Sequence, residues 1–234
     1  MLNRIQRQVA RIGLSSTARQ VSAAGLTYLI PEKMFRLESG AKEILAKGVT
    51  GDVIEFGVAL GGSAIVLASL ALKYDRRFFG LDVFGMIPPP TSVHDDDKSR
   101  DRYEVIKSGR STGIGGANYY GYEEDLHGKV VKSFEKHGLS VDGRRTSLVK
   151  GLFEETWPTI AGNAIAFVHI DCDWYDPVRY CLNAVHPYLS PGGAMLLDDY
   201  YDYGGCKTAT DEFLREHPDY VVEDGPNLRL RRSR

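Results

Sequence analysis

The sequence predicts a doubly wound α/β fold built on a mainly parallel sheet. Short apolar runs alternate with stretches of helical spacing, and Ala164–Ile170 and Ala194–Leu197 are apolar enough to be strands covered on both faces. Two further runs, Tyr220–Val222 and Leu228–Leu230, flank Asp-Gly-Pro-Asn and read as a closing antiparallel hairpin. No repeat or Pro/Ser-rich linker divides the 234 residues, so one domain is expected over 1–234. It carries an N-terminal helical segment over 1–48 and a lid-like insertion over 86–122.

The elements follow in order. Arg4, Arg7, Arg11 and Arg19 precede the first acid, Glu32, as in a targeting peptide. Ile5, Val9 and Ile12 instead give the expected reading, an amphipathic helix. Such a helix needs a surface to cover, which favours a homo-oligomer such as a dimer. Phe35–Lys47 has Leu37, Ala41, Ile44 and Leu45 at helical spacing, with Gly48 as its stop. Asp52–Phe56 is a strand, Ser63–Tyr74 a helix, and Arg77–Asp82 and Ser147–Lys150 strands. Asp176 as N-cap and Pro177 in the first turn open a helix over Asp176–Leu189. Ser190-Pro191-Gly192-Gly193 is a turn into the strand Ala194–Leu197, and Lys207–His217 is a helix. Met86–Tyr122 interrupts this alternation with Pro88-Pro89-Pro90, three successive aspartates and five glycines. So long a segment inside one domain reads as a lid, and Tyr103, Tyr119, Tyr120 and Tyr122 argue that it is ordered.

Composition narrows the function classes. Apolar residues make up 43% and charged residues 26%, the balance of an ordinary soluble globular protein. The 29 basic and 31 acidic side chains leave a net charge of −2, which provides no general field for nucleic acid. No apolar run is long enough for a membrane span. Cys172, Cys181 and Cys206 form no C-x-x-C pair and no metal-ligand spacing, as expected of a reduced, cytoplasmic chain. Glycine is in excess, 25 of 234 residues or about 11%, against a usual ~7%.

Ligands of open α/β sheets sit beyond the carboxyl ends of the strands, and four such ends are informative. Gly57, Gly61 and Gly62 follow the first strand and open the helix at Ser63, but neither G-x-G-x-x-G nor a P-loop is present. Glu55, just ahead of these glycines, disfavours a phosphate and suits a cationic or hydroxyl-bearing ligand. Asp82 ends the next strand, where a carboxylate can accept from ribose hydroxyls. Together the two ends point to a nucleoside without a phosphate, a description that S-adenosylmethionine meets. At the other two ends stand Asp171-Cys172-Asp173 and Asp198-Asp199. If these strands are neighbours, three or four carboxylates meet at one rim and need a cation or large pKa shifts. Oxygen donors without a His/Cys set point to Mg²⁺, with Mn²⁺ and Ca²⁺ as alternatives.

The stretch Gly51–Val58 with Gly61-Gly62, then Val168-His169-Ile170-Asp171-Cys172-Asp173-Trp174-Tyr175, resembles the macrocin-type O-methyltransferases. Leu189-Ser190-Pro191-Gly192-Gly193 followed by Asp198-Asp199-Tyr200 and Cys206-Lys207 extends the likeness, which covers roughly Thr27–Phe213 outside the insertion. It implies a Rossmann-like class I methyltransferase fold and methylation of a sugar hydroxyl on a natural product or glycan. S-adenosylmethionine and Mg²⁺ would be the cofactors. On this likeness Asp171, Asp198 and Asp199 would hold the metal, Asp173 would be the general base, and Asp82 the ribose acid. Glu55, Gly57, Gly61 and Ser63 complete the expected cofactor site. Asp82-Val83-Phe84 stands where the family usually has Asp-Ser-Phe, and Ala59-Leu60 where Trp-Arg is frequent. His169 reads as a core residue, and Lys207 and Tyr200 as lining of the acceptor pocket.

Three other readings compete. A catechol-type O-methyltransferase would share cofactor, metal and acids. Tyr103-Glu-Val-Ile-Lys107 matches the Tyr-x-x-x-Lys pair of nicotinamide-dependent reductases, but it falls inside the insertion. A non-catalytic binding protein would rely on the Arg-rich ends, against an acidic rim.

Overall fold

The computed structural model describes residue 10 and residues 12–233. Ile5 and Val9 of the expected amphipathic face lie outside the described residues, while Ile12 is 75% exposed. Two helices, α1 (Ser16–Ala23) and α2 (Pro31–Ala46), lead into the alternating part. There follow β1 (Asp52–Phe56), α3 (Gly62–Lys73), β2 (Phe78–Asp82), α4 (Asp97–Lys107), α5 (Leu126–Lys136) and β3 (Thr146–Lys150). The second half comprises α6 (Phe153–Ile160), β4 (Ile165–Ile170), α7 (Tyr175–Val185), β5 (Leu189–Leu197), α8 (Gly204–Glu216), β6 (Tyr220–Glu223) and β7 (Leu228–Arg232).

The strands form one seven-stranded sheet in the order β3-β2-β1-β4-β5-β7-β6. The first five are parallel, and β7 and β6 pair antiparallel at the far edge, as the sequence predicts. Alternation along the strands sends side chains into two cores. Val53, Phe78 and Phe167 pack beneath α1, α2, α3 and α5 with Leu37, Ile65, Val130 and Phe134. Ile54, Phe56, Leu81, Val168 and Leu197 pack on the other face against α6, α7 and α8, with Trp157, Val178 and Phe213. Because β1 and β4 are neighbours, as are β4 and β5, the polar residues that end these strands emerge side by side. The ladder continues past the strands: Asp171 N–H donates to Phe56 O at 2.9 Å and Asp198 N–H to Ile170 O at 3.0 Å.

Two expectations need correction. Ser190–Gly193 is not a turn but part of β5. The register slips between its pairings at Leu189 and Ala194, and Gly192, at φ 81°, absorbs the irregularity. Asp176 does not cap α7, which starts one residue earlier; its first amide, Tyr175 N–H, donates to Asp95 Oδ1 at 2.8 Å. The insertion holds α4, two 3₁₀ turns at 114–116 and 120–122, and a Thr112–Asn118 bridge. Its tyrosines order it as expected, with Tyr119 2% exposed and stacked 4.3 Å from Tyr120.

Candidate active site

The glycine turn after β1 is shaped chiefly by protein contacts. Gly57 has φ 89°, and a Cβ there would stand 2.0 Å from the Asp171 carbonyl oxygen. Gly61, at φ 90°, faces Val130 of α5, and Gly62 donates to the Leu26 carbonyl at 2.9 Å. These glycines therefore clamp the turn onto Asp171 and the flanking segments, beyond any role toward a ligand. Asp82 completes the turn. Its Oδ2 accepts from Val58 N–H at 2.7 Å and Ala59 N–H at 2.9 Å, and its Oδ1 from Phe84 N–H at 2.6 Å. Ala59 and Phe84 both have φ 47°, a left-handed conformation unusual outside glycine, so one carboxylate holds two strained residues. Burial raises Asp82 above the usual carboxylate range despite those three donors. One acceptor position on Oδ1 remains for a ligand hydroxyl.

Glu55 is fully buried, with Ser63 beside it. Across the β1–β4 register it meets His169, and Glu55 Oε1 lies 2.7 Å from His169 Nδ1. Burial pushes Glu55 up. His169 is raised as well, because the Glu55 hydrogen bond and charge outweigh burial, which opposes protonation. Glu55 Oε2 and His169 Nε2 are buried without a protein partner.

The acids meet as expected. Asp171, Asp198 and Asp199 each offer a ligand atom within 4.8 Å of one another. Burial and then the adjacent Asp198 push Asp171 up to about 8. Burial likewise lifts Asp173 to about 6, although the neighbouring Asp199 carboxyl opposes the rise. Asp199 is pushed well up, by burial first and then by Asp173. Its Oδ2 is buried without a partner. A hard, oxygen-only donor set with an orphaned, desolvated oxygen fits Mg²⁺, Mn²⁺ or Ca²⁺.

Several residues at this site went unrecognised in the sequence. Lys33 of α2 reaches Asp198 Oδ2 at 2.9 Å, the Asp198 carbonyl at 2.8 Å and Asp202 at 2.7 Å. Asn227, fully buried in the β6–β7 turn, donates from Nδ2 to Asp198 Oδ1 at 3.2 Å. Lys98 and Arg102 arrive on α4. No local motif marks any of them, since each is brought in by a distant element. Lys207 and Tyr200, expected to line the acceptor pocket, turn to each other at 3.2 Å and to Asp211. Tyr103 and Lys107 sit on α4, with the Lys107 side chain 62% exposed beside Glu104, and form no reductase pair.

A mainly parallel sheet with an antiparallel edge, and a glycine turn after its first strand, is the Rossmann-like architecture of a class I methyltransferase. The chain belongs to the macrocin-O-methyltransferase (TylF) family, which it matches over residues 5–219. It is 30% identical over 213 residues to mycinamicin III 3''-O-methyltransferase of Micromonospora griseorubida, covering 86% of this chain and 76% of that enzyme. It is 28% identical to 8-demethyl-8-(2,3-dimethoxy-alpha-L-rhamnosyl)-tetracenomycin-C 4'-O-methyltransferase of Streptomyces olivaceus, covering 78% of this chain and 65% of that one. The fold superposes on the O-methyltransferase NovP with a TM-score of 0.73 at 22% identity, over 89% of this chain and 83% of that one.

Proposed function

We propose that the protein transfers the methyl group of S-adenosylmethionine to a sugar hydroxyl of a natural product or glycan, with Mg²⁺ at the acid cluster. The convergence of Asp171, Asp198 and Asp199, with Asp173 two residues from Asp171, carries the reading. The relative named for methylating a rhamnosyl-bearing tetracenomycin supports a sugar acceptor.

Transfer is an in-line displacement, and a neutral hydroxyl is a poor nucleophile because it keeps its proton near neutral pH. A divalent cation, when held by Asp171, Asp198 and Asp199, supplies the charge that eases loss of that proton. S-adenosylmethionine supplies a methyl group on a sulfonium. The remaining work falls to the chain. Asp173 is the base that takes the hydroxyl proton. Lys33 and Asn227 fix the two oxygens of Asp198. The turn around Gly57 and Gly61, with Glu55, Ser63 and Asp82, receives the nucleoside, and Oδ1 of Asp82 accepts one ribose hydroxyl. The insertion, closing over Asp173, excludes water and orients the acceptor.

The test is metal replacement. Protein treated with EDTA, supplied with S-adenosylmethionine and a panel of sugars bearing vicinal hydroxyls, should lose methyl transfer and regain it with Mg²⁺. Full-rate turnover after EDTA would remove the metal from the account. Asp198→Asn should abolish transfer while calorimetry still reads near-normal S-adenosylmethionine affinity.

A further inference from the structure

The insertion is fastened over the acids by two carboxylates. Asp95, 3% exposed, accepts from the first amide of α7 at 2.8 Å. Asp96 accepts from the Gly204 N–H, at the start of α8, at 2.9 Å. Both helices begin a few residues after the acid-bearing strand ends, so α4 leaves its anchor beside Asp173 and Asp199.

Helix α4 brings two cations here, four residues apart and hence on one face. Lys98 is satisfied locally. Its Nζ donates to the Asp202 carbonyl and lies 4.4 Å from the Tyr203 ring centroid. Arg102 is not. Among the described residues its half-buried guanidinium makes no hydrogen bond or ion pair, and its Cζ stands 5.7 Å from the Tyr119 ring centroid. It stands one turn beyond Lys98 on the face of α4 that lies over Tyr203, whose ring packs 5.5 Å from Trp174, the residue next to Asp173. An arginine serving only to neutralise Asp173 would close an ion pair with it, and this one does not. A planar fork of donors beside aromatic rings matches a carboxylate or a phosphate.

We infer that the acceptor is an anionic saccharide, whose carboxylate or phosphate is received by Arg102 while its hydroxyl faces Asp173. Arg102 thereby sets specificity for charged over neutral sugars. This inference rests on the proposed O-methyl transfer and narrows its substrate class.

The experiment is calorimetry on the full chain loaded with S-adenosylhomocysteine and Mg²⁺, titrated with methyl glucuronide, UDP-glucose and neutral methyl glucoside. At least one charged saccharide should bind about tenfold or more tightly than methyl glucoside. The tighter of the two tells a carboxylate from a diphosphate. Arg102→Leu should bring the charged ligand to within about twofold of the neutral one, and Arg102→Lys should retain part of the preference, with S-adenosylhomocysteine affinity unchanged in both. Equal affinity for charged and neutral sugars, a preference that survives Arg102→Leu, or no binding of either charged sugar overturns the inference. If S-adenosylhomocysteine itself does not bind, the methyltransferase reading falls first; if it binds and only neutral sugars follow, the anionic acceptor alone falls.

Discussion

Asp198 is gripped from both sides, by Lys33 on Oδ2 and by Asn227 on Oδ1, before any cation is considered. Residues that orient a metal ligand typically change affinity by 10–100-fold when removed. Asn227→Ala should therefore weaken Mn²⁺ binding about tenfold, read by calorimetry, with the fold intact by circular dichroism; unchanged affinity would make Asn227 a mere turn residue. Gly57 is the most constrained glycine of the site. Alanine there combines a positive φ with a 2.0 Å clash against the Asp171 carbonyl, so Gly57→Ala should cost about 2–4 kcal/mol and lower Tm by several degrees in scanning calorimetry. The four acids were legible in the sequence because each stands at or just past an apolar strand end. Lys33, Asn227 and Arg102 were not, because their role exists only once remote elements are assembled.

Among the elements, legibility follows the strength of the apolar pattern. The five parallel strands and the hairpin announce themselves as short apolar runs between turn residues. Helix α4 does not: of its 11 residues only Ser99 and Ile106 are buried, and its N-terminal end is fixed by Asp95 and Asp96 rather than by an apolar stripe. Helix α6 carries Pro158 inside its eight residues, which masks it. Helix α5 carries a stripe of Leu126, Val130 and Phe134, short and set directly after the glycine-rich insertion. Phe134 is fully buried against Phe78, so Phe134→Ala should cost about 3–5 kcal/mol by denaturant titration and loosen the turn that Gly61 makes against α5. The edge hairpin offers a pH test. Burial opposes ionisation of Glu223, yet its hydrogen bonds to Arg231 and Arg229 hold it below its ordinary 4.5. A depressed carboxylate contributes stability above its unfolded pKa and loses it as pH falls through the folded value. Stability should thus decline below about pH 4.5 in the wild type, and Glu223→Gln should flatten that decline in acid-unfolding curves; an unchanged acid limb would place the sensitivity elsewhere.

Over the whole molecule, the net charge of −2 averages over a local cluster of acids and a set of paired charges. Acids gather at the carboxyl ends of β4 and β5. The arginines of β7 are taken up in ion pairs: Arg229 with Glu43 and Glu223, Arg231 with Glu223, and Arg232 with Asp219. The basic end of the chain therefore tethers the sheet edge to α2 and to β6. Among the described residues, no helix is long and apolar enough to cross a membrane. The glycine excess divides in the same way, with Gly57, Gly61 and Gly62 packing the site turn and Gly192 absorbing the β5 irregularity. The central claim is that Asp171, Asp198 and Asp199 form one divalent-cation site, and Mn²⁺ titration followed by electron paramagnetic resonance tests it without any knowledge of the acceptor. One Mn²⁺ bound per chain, displaced by Mg²⁺ and lost in Asp198→Asn, is the expected result. No bound Mn²⁺, or binding that Asp198→Asn leaves untouched, would contradict it.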